Sequence, residues 1–199
     1  MALKEMHHGI VILVDAEFTC WEGSLASMWS DPEKPAEMIE IGMIAYDTVN
    51  RTELASYSSA VKPLINPILS DYCLNILPIT QSEVDAAPAF QRVMTEITEW
   101  LNQHVEPNSP TAAWGTIDRS HTTNQSGRSG VPDPFGTREH IRVDDLVKSA
   151  LGIDPEAGQI EREDVRKALH INTISGRHRA LADSADLIAF DIALANRSM

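Results

Sequence analysis

Residues 9–21 read GIVILVDAEFTCW, a short apolar run that ends in acidic residues. Residues 10–14 are all β-branched or aliphatic, and because the run is too short for an ordinary helix, it predicts a strand that is buried on both faces. Side chains along a strand alternate between its two faces, so Asp15 and Glu17 should point to the same side. They lie at the carboxyl end of the strand, where open α/β sheets place their sites.

Two carboxylates held side by side repel each other, by about 4 kcal/mol at ~4 Å if the effective dielectric constant is ~20. Either one acid keeps its proton, as in paired acid–base sites, or a hard divalent cation such as Mg²⁺ or Mn²⁺ lies between them. The same spacing recurs at Glu161 and Glu163 in what reads as a solvated helix, so the spacing alone is a weak signal. The apolar strand in front of Asp15 and Glu17 is what favours a metal or catalytic role for them.

Length and composition favour one globular α/β domain. The chain has 199 residues, of which 43% are hydrophobic, which is enough for one well-packed core and short for two. No apolar run approaches the ~20 residues of a membrane span, and no signal-peptide pattern is found, so we expect a cytoplasmic protein. Cys20 and Cys73 lack a C-x-x-C spacing, which favours reduced thiols over a disulfide framework or a zinc site.

The formal net charge of −13 argues against one class of function. Sequence-independent coating of long duplex nucleic acid needs an extended cationic surface, which this composition does not provide. A small nucleic-acid site is compatible with the charge, because a metal cluster would supply positive charge locally and Arg177 and Arg179 could flank it.

The rest of the chain alternates between strand and helix patterns. Residues 37–47 and 51–62 alternate as paired strands joined by a turn, and residues 111–115 predict a fourth strand. Thr80 and Glu83 have the spacing of a helix capping box. Helices are predicted at residues 80–86, 90–101, 144–151, 161–170 and 179–194. The alternation predicts an α/β sandwich with the first strand at its centre.

Three segments read as irregular. Residues 22–36 form a long loop next to Trp21, and the tryptophans there would stack a ligand base or, as is more common, pin the loop to the body. Residues 63–78 are interrupted by prolines and predict no regular structure. Residues 119–130 read RSHTTNQSGRSG and offer no apolar face to bury, so we expect a loose or mobile segment there.

Further candidate site residues follow the fourth strand and open the last helix. Asp118 comes just after that strand, and Asp183 lies in the first turn of the helix, five residues after His178. Positions five apart on a helix are rotated by about 140°, so His178 and Asp183 can meet only if His178 lies on the preceding loop. These residue types serve phosphodiester hydrolysis with two metal ions, in which the histidine takes the proton of the attacking water. The alternative is an exposed loop histidine beside Arg177 and Arg179.

Three blocks of sequence resemble the motifs of a known enzyme family. They read DAEFTCW at 15–21, WGTIDR at 114–119 and HRALAD at 178–183, and together they are similar to the motifs of the DEDDh 3′→5′ exonucleases of the DnaQ-like, RNase T superfamily. Within it, the chain most resembles the branch that contains the histone-mRNA 3′ exonuclease, RNA-interference-related exonucleases and bacterial KapD-like proteins. Intervening blocks agree as well, so the resemblance covers about residues 10–194 of a single domain over 1–199.

The resemblance implies a ribonuclease H-like fold with a five-stranded mixed sheet flanked by helices. It also implies two Mg²⁺ or Mn²⁺ ions per active site, and a histidine as general base. The implied metal ligands are Asp15, Glu17, Asp118 and Asp183, and the implied base is His178.

The resemblance also suggests how the terminal nucleotide is met. By position, Phe18 resembles a residue that wedges against a base, and Thr19 resembles one that meets the 3′ hydroxyl through its backbone. A family loop that reads Leu-Thr-Gly-Ile-Thr-Gln corresponds to residues 76–81, so Ile76 and Leu77 would approach the terminal base.

The chain departs from the family pattern in two places. Leu77 and Pro78 stand where the family has Thr and Gly, and a proline removes a backbone donor and fixes φ. The polar residues 119–130 stand where relatives carry an amphipathic helix, which is expected to loosen Asp118.

The implied function is a metal-dependent 3′→5′ exonuclease that acts on single-stranded nucleic acid and releases 5′-mononucleotides. RNA is favoured over DNA because of the branch that the chain resembles. The alternative is a binding or regulatory module that keeps the fold and turns over little. Superfamily members often form homodimers, but no residues here single out an interface, and no membrane partner is expected.

Overall fold

The computed structural model describes residues 2–6, 9–158, 160–172 and 178–197. Five strands form one mixed sheet in the order β3-β2-β1-β4-β5, with β1 antiparallel to β2 and parallel to β4. The strands are β1 Ile10–Phe18, β2 Met38–Asp47, β3 Thr52–Ala60, β4 Thr111–Ala113 and β5 His140–Arg142. The sheet confirms the predicted fold class, and the acid-bearing strand is central as predicted.

Helices connect and cover the strands. They are α1 Leu3–Met6, α2 Ser24–Ser27, α3 Asp71–Ile76, α4 Gln81–Ala86, α5 Phe90–His104, α6 Ile117–Ser129, α7 Val143–Leu151, α8 Arg162–Leu169 and α9 Ala180–Arg197. In this described part of the chain, every helix is too short or too polar to cross a membrane. Both cysteines are buried free thiols, as expected.

Strand β1 is buried on both faces because helices cover both sides of the sheet. Val11 and Leu13 belong to a core cluster with side chains of α7 and α9, whereas Ile12 and Val14 belong to a second cluster with α5. Asp15 continues the face of Leu13, since residues two apart on a strand share a side. The first acid therefore lies on the face that α9 covers.

Helix α9 packs closely against β2 at Gly42. A Cβ atom at this position would overlap the backbone of Ala180 and Leu181, so only glycine permits the approach. The contact is fixed by two hydrogen bonds, from Ser184 Oγ to the Gly42 carbonyl at 2.9 Å and from the Ala180 N–H to Glu40 Oε2 at 3.0 Å. The close approach at Gly42 and these two hydrogen bonds thereby set where the first turn of α9 lies relative to β1 and β2.

Several predicted elements are confirmed. The Thr80 side chain accepts from the Glu83 N–H while Glu83 accepts from the Thr80 N–H, which is the predicted capping box. Gly152 ends α7 in a left-handed conformation. The prediction that residues 63–78 have no regular structure is wrong in part, because the segment contains helix α3. Ser70 caps this helix by accepting from the Cys73 N–H, and no proline lies inside it.

The prediction that residues 119–130 form a loose or mobile segment is wrong, because most of this segment is helix α6. Its buried positions are polar, and they are His121, Thr122, Gln125 and Ser126. Gln125 Oε1 accepts from the Met38 N–H at 2.7 Å, and Arg128 Nη2 donates to the Ala36 carbonyl at 2.7 Å. The His121 ring packs edge-on against Phe18 and Trp29. The lack of an apolar face therefore did not exclude a helix in this segment.

Candidate active site

The carboxyl end of β1 and the first turn of α6 bring three carboxylates together. Asp15 is buried and Glu17 is half-buried on the strand. Asp118 reaches back to the strand, since its Oδ1 accepts from the Ala16 N–H at 3.3 Å. This bond ties Asp118 to the residue between the two strand acids, so the expected loosening of Asp118 is not observed.

Helix α9 and the residue before it supply the remaining groups. Within the described residues, possible ligand atoms of Glu17, His178 and Asp183 all lie within 4.8 Å of one another. His178 is exposed, has a φ of 61° and donates its backbone N–H to Asp183 Oδ2 at 3.2 Å. A non-glycine residue rarely adopts this left-handed conformation. His178 thus precedes the helix, the placement it needs to meet Asp183.

Asp15, Glu17, Asp118 and Asp183 form what we call the acid cluster, and burial makes the first three hard to ionise. Burial raises the pKa of Asp15 well above its ordinary value, with Arg162 opposing the rise and Asp118 and Asp183 adding to it. Burial and the nearby carboxylates, first Asp15, raise the pKa of Glu17 to about 9. Burial also raises the pKa of Asp118. The cluster therefore favours protons or cations.

One cation already lies in the acid cluster, and the sequence analysis missed it. Arg162, at the start of α8, places Nη2 2.7 Å from Asp15 Oδ1 and Nη1 4.0 Å from Asp183 Oδ2. Its guanidinium also lies 5.5 Å from the centre of the Trp114 ring. Burial lowers the pKa of Arg162, but the carboxylates, first Asp15, raise it by more than burial lowers it. The guanidinium therefore stays charged.

A sequence signal for Arg162 exists. Arg162, Val165 and Arg166 occupy positions i, i+3 and i+4, which share one face of a helix, and Val165 and Arg166 are the buried residues of α8. Two arginines on an otherwise inward-facing stripe need acidic partners, because buried charges are paired. The solvated reading of this helix overlooked that stripe.

A cavity of about 540 Å³, here called the main cavity, opens beside the acid cluster. All five residues predicted as catalytic line it, together with Arg162 and groups from α7 and from the segment before α8. A second cavity of about 240 Å³, here called the side cavity, adjoins it and shares Ala16, Glu17 and Asp118 with it. Glu17 and Asp118 thus lie between the two cavities.

The side cavity holds three of the residues predicted to contact substrate. Phe18, Ile76 and Leu77 line it, together with the Trp29 ring and Tyr72. Phe18 and Leu77 are buried, and 43% of Ile76 is exposed. The lining is mainly apolar and aromatic, which suits the flat face of a base.

The other predicted substrate contacts have different surroundings. Thr19 is buried, its N–H donates to the Glu37 carbonyl at 2.8 Å, and its carbonyl accepts from Trp29 Nε1 at 2.7 Å. Its backbone N–H is therefore already paired, and the expected backbone contact with a 3′ hydroxyl stays a prediction. The same bond from Trp29 fixes the loop to the body of the protein, which is the more common of the two roles considered for the loop tryptophans.

Trp21, Arg179 and Arg177 complete the predicted set. Trp21 lies outside both cavities as their described linings define them, and Lys34 Nζ lies 5.8 Å from its ring. Arg179 is held by Glu40, with Nη2 2.7 Å from Oε1, and by Glu83 at 3.2 Å, so it holds α9 to β2 and α4. Substrate contact by either residue stays a prediction. Arg177 lies outside the described residues.

The donor set of this site fits hard divalent ions. Four carboxylates and one imidazole converge, and carboxylate oxygens suit Mg²⁺ and Mn²⁺. Burial raises the pKa values of Asp15, Glu17 and Asp118, and a bound cation would favour their ionised forms.

The five-stranded mixed sheet with flanking helices is a ribonuclease H-like fold, and it carries an acid-lined cavity. The model of the RNase T family, described as "Exonuclease", matches residues 12–190, and the chain belongs to this exonuclease family. The resemblance to the DEDDh 3′→5′ exonucleases is thereby confirmed.

Similar proteins carry consistent names. The chain is 35% identical over 94 residues to "3'-5' exonuclease eri1" of Schizosaccharomyces pombe, a match covering 47% of the chain and 30% of that protein. It is 30% identical over 97 residues to human "3'-5' exoribonuclease 1", covering 49% of the chain and 26% of that protein. These matches thus span less than a third of each relative.

A solved structure agrees in fold. The nuclease domain of 3'hExo, described as a DEDDh family member bound to rAMP, superposes with a TM-score of 0.81 at 21% identity. The superposition covers 96% of this chain and 93% of that one. The likeness therefore extends over the whole domain.

Proposed function

We propose that this protein is a metal-dependent 3′→5′ exonuclease that acts on the 3′ ends of single-stranded nucleic acid, with RNA favoured, and releases 5′-mononucleotides. The observation that carries the proposal is the convergence of Asp15, Glu17, Asp118, Asp183 and His178 on the main cavity. The names of the relatives, which include exoribonucleases, support the direction of cleavage and the preference for RNA.

The acid cluster would hold two Mg²⁺ or Mn²⁺ ions. When bound, such ions would stabilise the charge that develops on the phosphoryl and leaving oxygens and favour an ionised water. His178 would take the proton of that water, because its ring is exposed to solvent and its backbone is fixed to Asp183 at the rim of the main cavity. A positioned base of this kind contributes roughly 10²–10⁴ in rate.

The side cavity would receive the terminal base. Phe18, Ile76 and Leu77 offer an apolar surface on which every base can stack, so selection here depends on shape more than on sequence. Pro78 provides no N–H, and its carbonyl accepts from Arg179 Nη1 at 3.3 Å. This part of the loop would therefore hold the base by contact rather than by a Pro78 hydrogen bond.

The net charge of −13 limits the substrates that fit the proposal. Affinity for nucleic acid comes largely from phosphate contacts with cations, and long duplexes need many of them. Short or single-stranded ends need few such contacts when stacking contributes. A cytoplasmic location and a homodimer stay predictions.

The test uses oligonucleotides labelled at the 5′ end, with free or blocked 3′ ends, incubated with the protein in the presence and absence of Mg²⁺. We expect stepwise shortening of free ends only, only with the metal, and loss of that activity in the matched Asp15→Asn variant. Equal degradation of blocked and free ends would contradict the proposal. Tight end binding without turnover would instead support the binding-module alternative.

A further inference from the structure

Arg162 occupies the acid cluster in a way that bears on metal binding. Its Nη2 lies 2.7 Å from Asp15 Oδ1, the side chain is 20% exposed, and that of Asp15 is 7% exposed. Such a short, sheltered charge-assisted bond engages one of the oxygens that a hard cation would use. The guanidinium and a divalent ion cannot both lie against that oxygen without strong repulsion.

Helix α8 has anchors that do not depend on Arg162. Arg166, one turn further along, is buried in an ion pair with Asp186 and donates from Nη1 to the Asn172 carbonyl at 3.0 Å. Trp114 Nε1 donates to the Ile160 carbonyl at 3.2 Å just before the helix begins. The helix can therefore stay in place while the Arg162 side chain withdraws.

The main cavity gives Arg162 somewhere to go. Its lining includes Glu156 and Glu161 as well as the acid cluster, so the arginine has other acids within the same space. Arginine is long and flexible up to its guanidinium, which lets it change partners by rotation about its side-chain bonds.

We propose that Arg162 is a built-in counter-cation of the acid cluster and competes with divalent metal for Asp15 and Asp183. This inference rests on the proposed function only in requiring that the acid cluster binds metal. In the metal-free protein, Arg162 offsets the repulsion among the acids. Metal binding breaks its pair with Asp15, so Arg162 weakens the apparent metal affinity and limits the charge imbalance before the ion arrives.

The experiment is titration calorimetry with Mn²⁺ on the full chain, comparing the wild type with Arg162→Gln and Arg162→Lys at one pH and salt concentration. Arg162→Gln should bind Mn²⁺ at least about tenfold more tightly, which is the lower end of coupling between close charge pairs. Arg162→Lys keeps a charge without the planar guanidinium, so its affinity for Mn²⁺ should fall between those of the wild type and Arg162→Gln. Equal affinities, or the reverse order, would overturn the proposal.

Arg142→Gln is the matched control. Arg142 lines the same cavity and is 40% exposed, but its partners are Asp144 and Asp145. Removing the same charge there should change the affinity for Mn²⁺ much less than Arg162→Gln does. A comparable gain would mean that general charge, and not the contact with Asp15, sets the affinity.

Two further measurements separate this proposal from the proposed function. Asp15→Asn should lose Mn²⁺ binding, and if it does not, the metal site itself is wrong. Thermal unfolding gives the second readout, because metal-free Arg162→Gln should melt below the wild type and gain more on adding Mn²⁺. If Asp15→Asn loses the metal while Arg162→Gln matches the wild type in both readouts, only the counter-cation proposal fails.

Discussion

Helices α6 and α8 are both polar and both border the acid cluster, but different chemistry holds each in place. In α6, Gln125 Oε1 accepts a backbone N–H of β2 at 2.7 Å and Arg128 donates to the Ala36 carbonyl, so both contacts end on uncharged backbone groups. In α8, the charged side chains of Arg162 and Arg166 pair with Asp15 and Asp186. A polar helix can therefore be fixed without an apolar stripe, and charged anchors make its packing depend on the ionisation of its neighbours.

The largest expected effect concerns a residue that belongs to neither helix. His178→Ala should lower the cleavage rate by roughly 10²–10⁴, the usual contribution of a general base, and leave metal binding intact. Single-turnover rates and Mn²⁺ calorimetry on the same preparations check both parts. Lost metal affinity would show that His178 is a ligand rather than the base.

The next effect tests the charged anchor of α8. Arg166→Ala leaves Asp186 buried without its partner and should lower the free energy of unfolding by about 3–5 kcal/mol. Urea denaturation measures it. Lys167→Ala is the control, because Lys167 is exposed and pairs only at the surface with Asp164. Similar small losses in both variants would show that the buried pair does not anchor α8.

The neutral anchor of α6 should matter less than the charged one. Gln125→Ala removes the acceptor of the Met38 N–H and should lower the free energy of unfolding by about 1–3 kcal/mol. Asn124→Ala, on the exposed side of the same helix, should change it by no more than ~0.5 kcal/mol. A loss for Gln125→Ala as large as that for Arg166→Ala would remove the distinction between the two helices.

A further comparison concerns the pH dependence of the metal-free protein. The pKa of Glu17 is about 9, against 4.5 as its ordinary value, so the folded state keeps a proton that the unfolded chain has lost between these values. The resulting stability is fully present below pH 4.5 and is lost as the pH rises through about 9. Urea unfolding in chelator at several pH values should show this decline.

Glu17→Gln provides the comparison, because glutamine does not titrate. The stability of this variant should decline less steeply over the same pH range than that of the wild type. The decline that is left comes from Asp15 and Asp118, whose pKa values are also raised. An equally steep decline in both proteins would contradict the assignment to Glu17.

Local sequence patterns predicted the parts of the fold that depend on neighbouring residues. The apolar run before Asp15 predicts a buried strand because period and length are local properties, and the capping box at Thr80 is local as well. The resemblance of the three motifs, rather than spacing alone, indicated that Asp118, His178 and Asp183 return to the same strand end.

What sequence analysis missed depends on contacts between distant parts of the chain. The acceptor of the Met38 N–H is 87 residues away, and the partner of Arg162 is 147 residues away, so no local window contains either pair. Arg179 was predicted only as a substrate contact, and its pairing with Glu40, 139 residues away, was not foreseen. Polar side chains gain their structural roles from such partners, and hydrophobicity does not reveal them.

The most direct measurement is an anomalous diffraction map from crystals grown with Mn²⁺ and a 5′-mononucleotide. We predict manganese peaks in contact with Asp15 and other members of the acid cluster, with the Arg162 guanidinium no longer bonded to Asp15. Fully occupied manganese elsewhere in the crystal, with Arg162 still bonded to Asp15 and no peak in the main cavity, would contradict the central claim that these carboxylates form one metal site.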